Sequence, residues 1–131
     1  GLALYAWPAA FVAAMAGGFG LAQANFVIPM LEPMIAGTVI AFGAAIALRL
    51  AGPVWLGACA IALAGLAHGF AHGLEVSGSP LGFAGGFGLA TGLLHLAGVA
   101  IGAGMLRTAA PVLPRLAGLG LAAAGLALVL S

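Results

Sequence analysis

The chain reads as five long apolar stretches separated by short joints that hold half of its polar residues and most of its prolines. The stretches run at about 2–23, 31–50, 54–73, 81–107 and 112–130. Gln23, Asn25 and Pro29 separate the first from the second. Arg49 to Pro53, Leu74 to Pro80 and Arg107 to Pro114 form the other three joints. A helix needs about 20 apolar residues to cross a bilayer, so each stretch predicts one span. The expected fold is an all-α integral membrane protein, a bundle of about five transmembrane helices forming a single domain over residues 1–131. The first stretch lacks a basic leader and an evident cleavage site, and reads as a retained span.

Composition reinforces this reading. Hydrophobic residues make up 65% of the chain and charged residues 4%, with a mean hydropathy of +1.31. A soluble domain carries about 25% charged residues, so the partner implied is the lipid bilayer. Lys and Asp are absent, leaving Arg49, Arg107, Arg115, Glu32 and Glu75 as the permanently charged side chains. A net charge of +1 offers no footprint for nucleic acid. The lone Cys59 excludes an internal disulfide or a Cys-based metal cluster. It lies about half a turn of the helix from His68 at about 100° per residue, and is expected to be a buried small apolar residue.

The arginines set an expected orientation, because cytoplasmic loops are enriched in Lys and Arg. Arg49 flanks the second joint, and Arg107 and Arg115 flank the fourth, so both joints belong on one side. In a bacterial inner membrane that side is the cytoplasm, with the N-terminus of this chain inside and its C-terminus in the periplasm. Tyr5, Trp7 and Trp55 then lie near the inner ends of their spans, as interfacial anchors do. Glu32 and Glu75 fall at the outer boundary. His68 and His72 lie one to two turns below it, and His95 lies near the middle of the fourth span. Every candidate cation ligand is in the outer half or near the midplane, opposite the arginines, an arrangement suited to a cation entering from outside.

The segment LAHGFAHGLE, residues 66–75, concentrates the candidate chemistry. His68, His72 and Glu75 follow i, i+4, i+7 spacing and share a helix face if the helix runs through Glu75. Ionisable groups within a membrane are expensive; they line ion paths, bind cofactors or pair with one another. Neutral imidazole binds divalent transition metals, with carboxylate as a harder companion. His68 and His72 form the expected primary pair and Glu75 an acidic ligand or a partner of one of them. His95 is a ligand from across a helix interface, and Glu32 an outer attractor. This set suits Zn, Ni, Co or Cu, and protonation of the imidazoles weakens binding as the pH falls toward about 6. Other readings of the same residues are a hydrogen-bond network of His68 and His72 with Glu75, a packing role for His95 beside Thr91, and helix-end roles for both carboxylates. The glycines form two rows, Gly65, Gly69, Gly73 and Gly88, Gly92, Gly98, Gly102. Small residues let helix backbones approach in lipid, so both rows are expected packing faces.

HGFAHGLE at His68–Glu75, followed by GFGLATGLLHLAGVAIG, resembles the HupE/UreJ family of small bacterial membrane proteins, regarded as nickel or cobalt permeases associated with hydrogenase and urease. The paired H-G-x-A-H-G-x-E signature spans His68 to Glu75, and a later A-T-x-x-L-H-x-x-G element spans Ala90 to Gly98, with His95 as its histidine. The proline-rich approach to the second span beside Glu32 is also similar. Family members usually open with a further helix bearing an H-P-x-x-G-x-D-H motif, which these 131 residues do not contain; the expected ligand set is incomplete without it.

The resemblance implies a membrane permease or accessory uptake protein for a divalent transition metal, most readily nickel, or cobalt. Ni2+, Co2+ or Zn2+ would be a transported or transiently bound ion, with no tightly bound cofactor. A membrane-protein partner or homo-oligomer is compatible with the glycine faces. A reading of another class is a structural subunit of a larger membrane complex whose histidines ligate haem or chlorophyll. No P-loop is present, and no serine or aspartate nucleophile accompanies the histidines, so an enzyme is not expected.

Overall fold

A computed structural model of the chain describes residues 3–107 and 112–130. Five helices follow in order: α1 (Ala3–Gln23), α2 (Leu31–Ala47), α3 (Val54–Leu74), α4 (Pro80–Arg107) and α5 (Val112–Leu130). The protein is an all-helical membrane protein, and α1, α3, α4 and α5 are each long and apolar enough to cross a bilayer. Part of the joint expected between Arg107 and Pro114 lies outside the described residues, as does the C-terminal residue used to state the orientation.

The second element is shorter than expected. The apolar run continues to Leu50, but α2 stops at Ala47, where Arg49 turns into the left-handed region at φ 55°. Arg49 N–H then donates to Ile46 O at 3.1 Å and Leu50 N–H to Ala45 O at 2.9 Å, closing the last turn. Helix α1 ends the same way. Asn25 has φ 61°, and Phe26 N–H donates to Leu21 O at 3.1 Å. At about 1.5 Å per residue the 17 residues of α2 reach about 25 Å, short of a hydrocarbon core of about 30 Å. Helix α4 starts with Ser79 as its cap and Pro80 in the first turn; Gly82 N–H donates to Ser79 Oγ at 3.3 Å.

The elements form two compact groups, each described by itself. The first holds α1, α3 and α4 as far as Ala97; the second holds α2 from Glu32, the remainder of α4, and α5. In the first, α1 and α3 run parallel, seated on the row Gly65, Gly69, Gly73. A Cβ at Gly65 would fall 2.5 Å from Phe11 O, one at Gly69 would fall on the Met15 carbonyl, and one at Gly73 would fall 2.9 Å from Phe19 O. Residues four apart on α3 thus face residues four apart on α1. Gly18 returns the fit from α1, its Cβ position lying 2.9 Å from Leu66 C and Phe70 N.

Hydrogen bonds fasten the pair at both ends. Trp7 Nε1 donates to Val54 O at 3.0 Å and Gln23 Nε2 to Gly73 O at 2.7 Å, the latter meeting a carbonyl of the last helical turn. Ala64, Ala67, Phe70, Met15, Phe19 and Ala22 are buried along this seam.

In the second group Gly43, Gly118 and Gly125 bring α2 and α5 together antiparallel. A Cβ at Gly43 would meet Gly118 O at 2.7 Å, and one at Gly125 would meet Ala36 O at 3.1 Å.

Two expectations are corrected. Gly88, Gly92, Gly98 and Gly102 meet no atom within 4 Å of a built Cβ, so among the described residues they are not a close-packing row. The outer leucines of α4, such as Leu89 and Leu93, are exposed, as lipid-facing side chains are. Cys59 is exposed rather than buried; the buried residues of α3 begin only at Ala64, more than a turn further along the helix.

The two rows therefore answer differently to an added methyl group. Gly69→Ala is expected to destabilise the protein by about 1–3 kcal/mol by overpacking. Gly92→Ala should be neutral or slightly stabilising, since it adds helix propensity in open space. Thermal unfolding in detergent followed by circular dichroism checks this, and equal melting of both variants contradicts the assigned interface.

Candidate functional site

The glycine fit on α3 determines where α1 aims its side chains. With the carbonyls of Phe11, Met15 and Phe19 against α3, their side chains meet the N-terminal part of α4, which runs antiparallel to α1. Phe19 stacks on Phe87 with ring centroids 5.5 Å apart, Met15 Sδ accepts from Thr91 Oγ1 at 3.7 Å, and the Phe11 ring lies 5.0 Å from that of His95. Phe87, Thr91 and His95 are four residues apart, as are their partners, so each turn of α1 faces one turn of α4.

The three histidines line this seam at three places, all half-buried. His68 packs on Phe11 at 5.8 Å between ring centroids, so Phe11 touches both His68 and His95. His72 packs on Phe87 at 5.2 Å, beside the cluster of Phe19, Phe83 and Phe87.

The backbone fixes the chemistry of two imidazoles. His68 Nδ1 donates to Ala64 O at 2.8 Å, and His95 Nδ1 donates to Thr91 O at 2.9 Å. A carbonyl only accepts, so the Nδ1 atoms carry the protons, and in the neutral rings Nε2 keeps a lone pair. His72 is held from the other side. Helix α3 ends at Leu74, with Glu75 as its C-cap, and the chain folds so that Glu75 Oε2 accepts from His72 Nδ1 at 3.2 Å. The pair is open to solvent, with side chains 43% and 67% exposed, so it orients His72 more than it stabilises the fold.

The predicted site residues are thus distributed as follows. His68, His72, Glu75 and His95 belong to the first group, His72 with Glu75 at one level and His68 and His95, both against Phe11, at the other. Glu32 belongs to the second group, exposed in the first turn of α2 beside a hollow lined by Ile35, Ala36 and Leu128, where the helix dipole favours a carboxylate. Among the described residues no three His, Cys, Asp or Glu side chains stand close enough to hold one ion together. Thr91 does partner His95, through its carbonyl. The sequence reading missed Phe11, Met15 and Phe87; the four-residue rows Phe11–Met15–Phe19 and Phe83–Phe87–Thr91–His95 were the available signal.

A polytopic helical membrane protein is thereby defined, with its three histidines along an interhelical seam. The family described as HupE / UreJ protein matches residues 1–128. Protein HupE of Rhizobium leguminosarum bv. viciae is 35% identical over 131 residues, covering 98% of this chain and 69% of the relative. No solved structure matches. The chain belongs to the HupE/UreJ family. Members of that family are transport or accessory proteins associated with nickel and cobalt uptake.

The tautomers can be read directly. Long-range proton–nitrogen correlation spectra of protein labelled with 15N-histidine should show His68 and His95 protonated at Nδ1 when neutral. Protonation at Nε2 in either ring would remove the assigned hydrogen bond and the free lone pair inferred from it.

Proposed function

We propose that this protein carries a divalent transition metal, nickel or cobalt, across the bacterial inner membrane, using His72, His68 and His95 as successive nitrogen ligands. The observation that carries the reading is the fixed tautomer of His68 and His95, whose Nδ1 atoms are occupied by helix carbonyls. Holding one nitrogen to a carbonyl or carboxylate is how metal-binding histidines are oriented, and it raises the basicity of the other. Glu75 plays this part for His72 and adds negative charge at the mouth of the path. Glu32 acts as a second attractor at the same, outer side, following the orientation drawn from the arginines.

The spacing also suits movement. Ligands distributed over two levels bind an ion weakly at each, and conduction requires sites that an ion can leave. One turn separates His72 from His68, about 6 Å at 1.5 Å per residue. Imidazole is a good ligand for nickel, cobalt and zinc and a poor one for magnesium or calcium. The preference for nickel within the borderline metals comes from family membership and not from the donor set.

Replacing His68 and His72 together with alanine in the full-length protein should abolish cellular uptake of radioactive nickel while leaving membrane insertion intact. Unchanged uptake by that variant would rule out these ligands. Glu75→Gln should weaken apparent metal affinity about 10–100-fold, the usual effect of losing a partner that orients a ligand, as read from the concentration dependence of uptake.

A further inference from the structure

We infer that the thioether of Met15 is a metal ligand, bridging the two histidine levels as a soft neutral donor; this deepens the proposed transport function and rests on it. Met15 is 3% exposed on the α1 row between Phe11 and Phe19. Phe11 touches His68 and His95, while Phe19 stacks on Phe87, which touches His72. Met15 therefore occupies the layer between the level of His72 and that of His68 and His95. Its backbone gives the same register, because its carbonyl fills the Cβ position of Gly69, the residue after His68.

The sulfur is held in place by one specific partner. Thr91 Oγ1 donates to Met15 Sδ at 3.7 Å, while the Thr91 carbonyl accepts from His95 Nδ1 at 2.9 Å. One residue thus fixes both the thioether and the ligand imidazole. A thioether sulfur has two lone pairs; the hydroxyl engages one and leaves the other for an ion.

Geometry and chemistry both call for a donor in this layer. Metal–imidazole bonds are about 2.0–2.1 Å long, whereas a helical turn separates His72 from His68 by about 6 Å. An ion released by the upper imidazole is not yet bound by the lower pair, and the surrounding phenylalanine rings offer no lone pair. A thioether carries no charge and takes no proton in the physiological range, so it binds without trapping. It favours soft and borderline metals over hard ones such as magnesium or manganese, adding selectivity that the imidazoles alone do not supply.

The test is nickel-edge X-ray absorption on the nickel-loaded full-length protein in detergent, with Cys59→Ser as the parent so that the exposed thiol contributes nothing. The expected result is a mixed shell of nitrogen or oxygen and sulfur in the parent, with the sulfur lost in Met15→Leu, a swap that conserves volume and is usually tolerated. Replacing methionine sulfur by selenium in the parent gives a second reading that needs no mutation: a selenium scatterer beside nickel, absent from Met15→Leu. A sulfur shell that persists in Met15→Leu, or an all-nitrogen-and-oxygen shell in the parent, overturns the role of Met15 and leaves the histidine ligands standing. Failure of the parent to bind nickel at all overturns both this role and the proposed function.

Discussion

The close seating of α1 on the glycine row of α3 is the constraint on which the rest of the first group depends. Between two helices in lipid there is no hydrophobic gain from association, since hydrocarbon surrounds both before and after. What remains is close packing and hydrogen bonding, and both are present. Gly65, Gly69 and Gly73 admit the carbonyls of Phe11, Met15 and Phe19 to distances that any side chain would block, and Trp7 and Gln23 bind across the ends. Because each glycine faces one turn of α1, the fit fixes rotation as well as separation. Rotation of α1 about its axis would carry Phe11, Met15 and Phe19 away from α4 and dissolve the seam in which the histidines lie.

The same rows reconcile polar side chains with an apolar surround. An imidazole in the membrane interior carries a donor that must be satisfied. His68 and His95 satisfy theirs within their own helices, against the carbonyls of Ala64 and Thr91, so neither depends on a neighbouring helix to be tolerated. That local solution leaves the second nitrogen uncommitted. His72 lies nearer the helix end, where the helical carbonyls give way to the Glu75 carboxylate. A single chemical requirement, an occupied Nδ1, is met by different groups according to position along the helix.

Much of this was legible in the sequence, and the parts that were not share a cause. The five helices followed from hydropathy because a long apolar run has few alternatives in lipid. The spacing placed Glu75 on the face of His68 and His72 but did not say which of them it would meet; the structure pairs it with His72. The end of α2 was missed because hydropathy is blind to backbone conformation; Leu48 and Leu50 are apolar, yet the left-handed turn at Arg49 terminates the helix. The packing roles of the glycines were half legible for a similar reason. Rows at four-residue spacing occur on both α3 and α4, but only the α3 row faces a helix whose backbone it admits, and spacing within one helix carries no information about its neighbour. Phe11 and Phe87 escaped notice because their function is relational: each becomes part of the site only when α1, α3 and α4 meet.

The distribution of donors along the seam bears on how such a path could work. A compact cluster of three imidazoles and a carboxylate binds a borderline metal tightly, which favours storage over passage. Here Phe11 packs against both His68 and His95 and Phe87 against His72, and no three ligand side chains gather at one point among the described residues. Packing against an aromatic ring orients an imidazole without consuming its lone pair. Under the proposed function, the aromatic residues would do for affinity what the helix carbonyls do for tautomer: orient each ring while keeping the nitrogen donors apart.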